Sequence, residues 1–172
     1  EMSRGLGDVY KRQIYNKSVD WSQNGGITAY CYNSMILNCG AQVDITSIST
    51  GGTALAGGIV GQEELGLVTA CESYGDVTGV NQVGGIAGAA SAKLRSNWAK
   101  CALSGEKYIG GIVGQGTDSD LTDGSLIAIN NRAIVSVLEG QQYVGAVSGG
   151  QDGGFYGNLF VSDDLQGIDR LS

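Results

Sequence analysis

The sequence predicts an all-β chain folded as a parallel β-solenoid, and three observations support this prediction. A glycine-rich motif recurs along the chain, with Gly-Gly-Ile-Val-Gly at residues 57–61 and unchanged at residues 110–114. Apolar and polar residues alternate over short stretches, as is typical of half-buried strands. No stretch shows convincing helical periodicity. Self-similarity at a spacing of a few tens of residues indicates a repeat architecture.

The composition suits short strands joined by tight turns. The chain has 172 residues, enough for one domain, with 30 glycines, no proline and 42% hydrophobic residues. Because the chain has no proline and its glycines show no Gly-X-Y period, collagen and proline-rich linkers are excluded. The apolar content argues against a disordered chain.

The charge balance bears on the possible partners. Ten basic and 17 acidic residues give a net charge of −7. Because nucleic acids and anionic lipids attract basic surfaces, we expect no nucleic-acid partner. No apolar run approaches the roughly 20 residues that span a bilayer, so we expect no membrane insertion.

The two ends of the chain differ in character. Residues 1–13 (EMSRGLGDVYKRQ) resemble a translated sequencing adapter, and we expect them to be a non-native leader. An ordinary capping segment is the alternative. Residues 14–172 are predicted to form a single β-solenoid repeat domain. Since no signal peptide or anchor is visible, we expect this domain to be a fragment of a longer protein.

The spacing of the repeats sets the size of one coil. Glycine landmarks begin at residues 25, 57, 84, 110 and 145, which predicts about 30 residues per coil and four to five coils. Strands that recur once per coil in the same direction form parallel sheets. Connections between parallel strands are strongly right-handed, so we expect a right-handed β-helix.

Two sets of residues are predicted to align across the coils. The first set contains the apolar residues of the glycine motif, Ile59, Ile86, Ile112 and Val147. The second set is spaced by 32, 30 and 30 residues and contains Cys39, Cys71, Cys101 and Asn131. We therefore expect the three cysteines to form an inward ladder of reduced, buried thiols. Without histidine or a Cys-x-x-Cys pair, we expect no zinc site and no cofactor.

The repeat pattern resembles a known family. Val/Ile-Gly-Gly-Ile-Val/Ala-Gly, followed by a cysteine strand and Gly-x-Val, is similar to the GLUG-motif repeats of large bacterial surface proteins. Residues 160–169 (FVSDDLQGID) resemble a segment that closes such arrays in adhesin-like proteins of gut bacteria. The resemblance covers about residues 25–169. It implies a structural or adhesive segment, outside the cell or on its surface, with glycans or surface proteins as partners.

The sequence supplies no catalytic constellation. The absence of histidine excludes serine–histidine and cysteine–histidine catalysis and histidine-based metal sites. Residues 110–116 are glycine-rich but lack the Gly-Lys-Ser/Thr of a phosphate-binding loop. Glu63 and Glu64 are neighbours on a strand, so they should point to opposite faces. We expect no enzyme; the alternative is a carbohydrate-binding or polysaccharide-processing β-helix, which rests on analogy of fold.

Two clusters are candidate ligand sites. Tyr108 and Tyr143 each lie two residues before a glycine landmark, so their rings should be neighbours on one wall. If they face outward, they would form a flat apolar platform for a sugar ring. The alternative is an aromatic pair that only stabilises the sheet. The second cluster consists of Asp118, Asp120 and Asp123. Their spacing does not complete a calcium-binding motif, so we expect either a solvated loop or weak calcium binding.

Overall fold

The computed structural model describes residues 12–49, 54–117, 125–150 and 153–162, and these residues contain strands and no helix. The first coil is preceded by β1 (Arg12–Asn16) and consists of β2 (Ser22–Gly25), β3 (Thr28–Tyr32), β4 (Met35–Leu37) and β5 (Gly40–Ser47). The second and third coils consist of β6 (Ala54–Gly57), β7 (Val60–Thr69), β8 (Glu72–Gly79), β9 (Asn81–Gly84), β10 (Ala87–Arg95) and β11 (Trp98–Ser104). The remaining strands are β12 (Lys107–Gly110), β13 (Val113–Gly116), β14 (Ile127–Ile129), β15 (Arg132–Glu139), β16 (Gln142–Gly145), β17 (Gly154–Tyr156) and β18 (Leu159–Ser162).

The strands stack into three parallel sheets. Six strands form the order β1-β5-β8-β11-β15-β18, and five form β16-β12-β9-β6-β2. In the third sheet, β17-β14-β10-β7-β3 form the main path, with β13 beside β10 and β4 beside β7. Equivalent residues recur roughly every 31 residues over about four turns. The predicted all-β parallel solenoid is therefore confirmed.

The glycine motif forms the corner between the five-stranded sheet and the sheet that contains β7. A Cβ on Gly57 would overlap the carbonyl oxygen of Val60, the first residue after the corner. A Cβ on Gly58 would overlap the carbonyl oxygen of Gly85 in the next coil. Glycine is required here because backbones of the same and the neighbouring coil approach each other closely.

The apolar column after each corner is confirmed. The backbone N–H of Ile59 donates to the carbonyl of Ile86 at 3.0 Å, and that of Ile86 donates to Ile112 at 2.8 Å. Ile112 continues the series by donating to Val147 at 3.0 Å. The three isoleucines are fully buried, and Val147 is nearly so. These side chains form one column of the core inside the coils.

The predicted cysteine column is wrong at Cys101. In the register of the strands, Trp98 pairs with Glu72 and with Arg132, so the residue that aligns with Cys71 and Asn131 is Asn97. Cys101 instead pairs with Gly75 and Val135. The third coil is short, and an insertion between β13 and β14 lengthens the fourth. A constant period of 30 residues therefore misplaced Cys101.

Asparagines occupy the corrected column from Asn97 onward and hold the corner together. The carboxamide of Asn97 accepts from the backbone N–H of Cys71 at 3.0 Å and donates to the carbonyl of Val68 at 2.9 Å. Asn131 accepts from the backbone N–H of Asn97 at 3.0 Å, and Asn158 accepts from that of Asn131 at 2.9 Å. This ladder satisfies backbone groups that a corner would otherwise bury without partners.

The thiols match the sequence prediction only in part. All four cysteines are free, but Cys31 and Cys39 are half-buried, whereas Cys71 and Cys101 are buried. Burial raises the pKa of the Cys101 thiol to about 11 and also raises the pKa of the Cys71 thiol. Cys71 and Cys101 therefore behave as small hydrophobes in the core, and an inward ladder of three thiols does not exist.

Candidate functional site

Tyr108 and Tyr143 lie at equivalent positions on neighbouring strands of the five-stranded sheet. The flanking residues are in register, with Lys107 opposite Gln142 and Ile109 opposite Val144. Both tyrosines have left-handed backbones, with φ of 56° and 55°. A left-handed residue inside a strand breaks the alternation of faces locally, as at a β-bulge. The irregularity leaves Tyr143 exposed and Tyr108 half-buried at the outer wall, while Ile109 is buried.

The two rings are stacked face to face. Their centroids are 4.7 Å apart and their planes differ by 9°. This geometry corrects the expectation of a flat platform made of both rings. Because the strands are stacked along the coil axis, the facing ring surfaces cover each other. The structure thus offers the free face of one ring, together with ring edges, rather than two faces side by side.

The ring of Tyr143 supplies that free face. It is 56% exposed. Its strand, β16, is the terminal strand of the five-stranded sheet, so no further described strand of that sheet lies beyond it. On the other side of the stack, the position equivalent to Tyr108 is Gln82, whose side-chain amide donates to Gln115 at 2.6 Å. The outer face of Tyr143 is therefore the part of the stack best placed for a ligand.

A cation accompanies the stack. The ammonium nitrogen of Lys107 lies 5.1 Å from the ring centroid of Tyr108 and 5.5 Å from that of Tyr143. If the ammonium lay over the outer face of Tyr143, it would be closer to the Tyr143 ring than to the Tyr108 ring by nearly the ring spacing of 4.7 Å. The ammonium therefore lies beside the rings and leaves the outer face of Tyr143 uncovered. It adds a hydrogen-bond donor at the rim of the stack.

The six-stranded sheet carries a second group of exposed aromatic side chains, which the sequence reasoning missed. The guanidinium carbon of Arg132 lies 4.9 Å from the ring centroid of Trp98, and Tyr74 donates to the carboxylate of Glu72 at 2.8 Å. Beside them is a shallow depression of about 150 Å³, lined by Gly75, Asp76, Lys100, Cys101, Ala102, Ile134 and Ser136. Alternation along β8 and β11 was the available signal, because Glu72, Tyr74, Trp98 and Lys100 all face outward.

The predicted calcium ligands cannot be placed in the fold. Asp118, Asp120 and Asp123 lie outside the described residues, so calcium binding there stays a prediction. Within the described ranges, no group of three or more histidine, cysteine, aspartate or glutamate residues could hold a metal ion. Nor does that part of the chain contain a helix long and apolar enough to cross a membrane.

Glu63 and Glu64 point to opposite faces, as predicted, with Glu63 buried and Glu64 half-exposed. The two carboxyl groups therefore do not converge on one substrate position.

Comparison with known proteins leaves the family assignment open. The resemblance to GLUG-motif repeats rests on the glycine motif, whose corner geometry is described above. No family model, curated protein or solved structure matches the chain.

Proposed function

We propose that the chain is a structural or adhesive β-solenoid segment of a secreted or surface-attached bacterial protein. The observation that supports this proposal most is the continuity of the three sheets through successive coils. Outward side chains consequently stand in columns, one strand spacing of about 4.8 Å apart. Stacked repeats of this kind give an extended wall suited to contacting an extended partner. The location at the bacterial surface is supported by the resemblance to GLUG-motif repeats.

Adhesion can be tested with the purified chain and immobilised glycans and surface proteins. We expect the folded chain to be retained on at least one class of surface, and the heat-unfolded chain to be released. The same samples should be assayed for new reducing ends and unsaturated sugar products. Retention without products supports the proposal. Turnover of a glycan would favour the polysaccharide-processing alternative instead. Absence of retention on both the immobilised glycans and the immobilised surface proteins would contradict adhesion.

Carbohydrate binding is the second candidate, and the exposed outer face of Tyr143 favours it. An aromatic face takes up the apolar face of a sugar ring, while the hydroxyl groups of Tyr108 and Tyr143 and the ammonium of Lys107 supply polar contacts. Since a single ring face is available, we expect shallow, weak binding of a terminal sugar residue. Polysaccharides, which bind tightly only to a row of aromatic faces, should bind no more tightly than a single terminal sugar residue.

Three variants test the glycan site. Tyr143→Ala removes the ring and should reduce affinity on a glycan array about tenfold or more, whereas Tyr143→Phe should keep most of it. Tyr156→Ala is the matched control, because Tyr156 is 62% exposed on a different sheet. Circular dichroism would verify the fold of each variant. Unchanged binding by Tyr143→Ala, or an equal loss in Tyr156→Ala, would rule out this site.

A further inference from the structure

Glu63 is a buried acid at the junction between the first and second coils. It lies on β7, where its Cα partners are Cys31 on β3 and Ala90 on β10. Its side chain points inward and is 0% exposed. Neither carboxyl oxygen has a hydrogen-bond partner within the described residues. A carboxyl group without partners in the core is unfavourable, above all when it is ionised.

Most other buried polar side chains in the described coils are paired; the hydroxyl of Ser148 is a further exception. Asn24 donates to the hydroxyl of Ser47 at 3.0 Å, and Asn131 donates to the carbonyl of Leu94 at 2.8 Å. Glu63 departs from this pattern, although the backbone makes room for it. A Cβ on Gly66 would overlap both Oε1 of Glu63 and the carbonyl oxygen of Ser34. Gly66 follows Leu65, which has a positive φ of 56°. A local irregularity in β7 thus accommodates the carboxyl group.

The surroundings of Glu63 favour its neutral form. Burial raises its pKa to about 7; contact with the Cys31 thiol lowers the pKa, and the charge of Glu64 raises it. The titratable groups of β3 near Glu63 are Tyr30 and Cys31, and Tyr30 donates to the carboxylate of Glu64 at 3.2 Å. On the β10 side, the paired positions hold the uncharged Ala90 and Ser91. No described cation on these strands is paired with Glu63.

We propose that Glu63 is a proton-operated lock between the first and second coils. With its proton, the carboxyl group stays in the core and β3 remains packed on β7. When the proton is lost, the buried carboxylate needs contact with water, and β3 is the strand that moves away from β7 to admit it. That strand is the terminal one of its sheet, whereas β10 is held by strands on both sides. The ionised protein therefore loosens at its first coil and stays folded in its later coils.

The sign of the pH effect follows from the proton uptake. The unfolded chain releases the Glu63 proton near the ordinary pKa of 4.5, whereas the folded chain keeps it until about pH 7. Between these values the folded state binds the extra proton, so stability falls as the pH rises. Below about pH 4.5 the full stability is present, and above about pH 7 the loss levels off. The lock is thus closed in acid and weakened at neutral and alkaline pH.

Thermal unfolding of the whole chain as a function of pH tests the lock. We expect the Tm of the wild type to fall by roughly 5–10 °C between pH 5 and pH 8. Glu63→Gln cannot ionise and should remove most of this fall. Glu64→Gln is the matched control, since Glu64 is half-exposed, and it should keep most of the fall. A fall of equal size in Glu63→Gln, or a flat profile in the wild type, would overturn the proposal.

Hydrogen exchange locates the loosening. At pH 8, after correction for intrinsic exchange rates, protection of β3 should drop about tenfold or more relative to β12 in the wild type and should persist in Glu63→Gln. Should Glu63→Gln fail to fold, Glu63→Met replaces the carboxyl group by an apolar side chain of similar length and carries the same expectation. Equal protection changes in β3 and β12, or a drop in β3 in the charge-free variant, would contradict a lock at Glu63.

Discussion

The side-chain amide of Asn97 donates a hydrogen bond to the carboxamide oxygen of Asn131, one coil further along, at 2.9 Å. Asn131 repeats the contact by donating to Asn158 at 2.9 Å. Each side chain also binds the backbone of the preceding coil, so the ladder joins coils both through side chains and through the main chain. The ladder ends where Cys71 and Cys39 take the same position.

Replacing Asn131 by alanine should destabilise the fold by about 3 kcal/mol, because it removes the acceptor of the backbone N–H of Asn97, which lies at a buried residue, and the hydrogen bond to the carbonyl of Leu94. Urea unfolding would measure the change. Lys93→Ala serves as the control: Lys93 is exposed on β10, and its loss should change stability by less than about 0.5 kcal/mol. Similar effects of both substitutions would contradict the role of the ladder.

Gly111→Ala should destabilise the chain by about 2–3 kcal/mol, because the new Cβ would overlap the carbonyl oxygen of Ala146 in the next coil and would lie 2.8 Å from the Cβ of Ala133. Gly40→Ala is the matched control. A Cβ at Gly40 meets nothing within 4 Å, so this change should be neutral or stabilising by up to about 1 kcal/mol. Denaturant midpoints of the two variants should therefore move in clearly different ways, and equal shifts would refute the close-approach argument.

Ala70→Gly should stabilise the chain by about 0.5–1 kcal/mol. Ala70 is exposed and has a φ of 53°, a left-handed conformation that costs an L-residue with a Cβ about 1–2 kcal/mol. The same change at Ala29, exposed on β3 with an ordinary strand backbone, should destabilise by about 0.5–1 kcal/mol. Differential scanning calorimetry of both variants checks the opposite signs. A loss of stability at Ala70 would show that the backbone strain there is not relieved by glycine.

Thiol labelling at pH 8 should modify Cys31 and Cys39 well before Cys71 and Cys101. The latter two are 0% and 3% exposed, and burial raises the pKa of Cys101 to about 11, so little thiolate is present. Peptide mass spectrometry after timed labelling would rank the four sites. Labelling in denaturant provides the control, because all four should then react at similar rates. Early modification of Cys101 in the folded chain would contradict its position in the core.

The corrected column has a signal in the sequence that a fixed period does not capture. Each residue of the column follows one with a left-handed backbone: Asn38 before Cys39, Ala70 before Cys71, Ser96 before Asn97, Asn130 before Asn131 and Gly157 before Asn158. Asparagine and glycine adopt this conformation readily, so Asn-Asn and Gly-Asn were usable signals. Ser96-Asn97 was harder to recognise, because serine is not a typical left-handed residue.

The sequence by itself determined the parallel solenoid, the glycine corners and the apolar column through Ile59 and Ile86. These features are encoded inside each coil: alternation specifies strands, and Gly-Gly-Ile specifies a corner that a Cβ would block. The tertiary structure decided the remaining contacts between coils. Loops of unequal length placed Asn97 instead of Cys101 above Cys71, and left-handed backbones at Tyr108 and Tyr143 accompany rings stacked face to face. The burial of Glu63 without a hydrogen-bond partner among the described residues was decided in the same way, because only packing against neighbouring coils determines what surrounds an inward side chain.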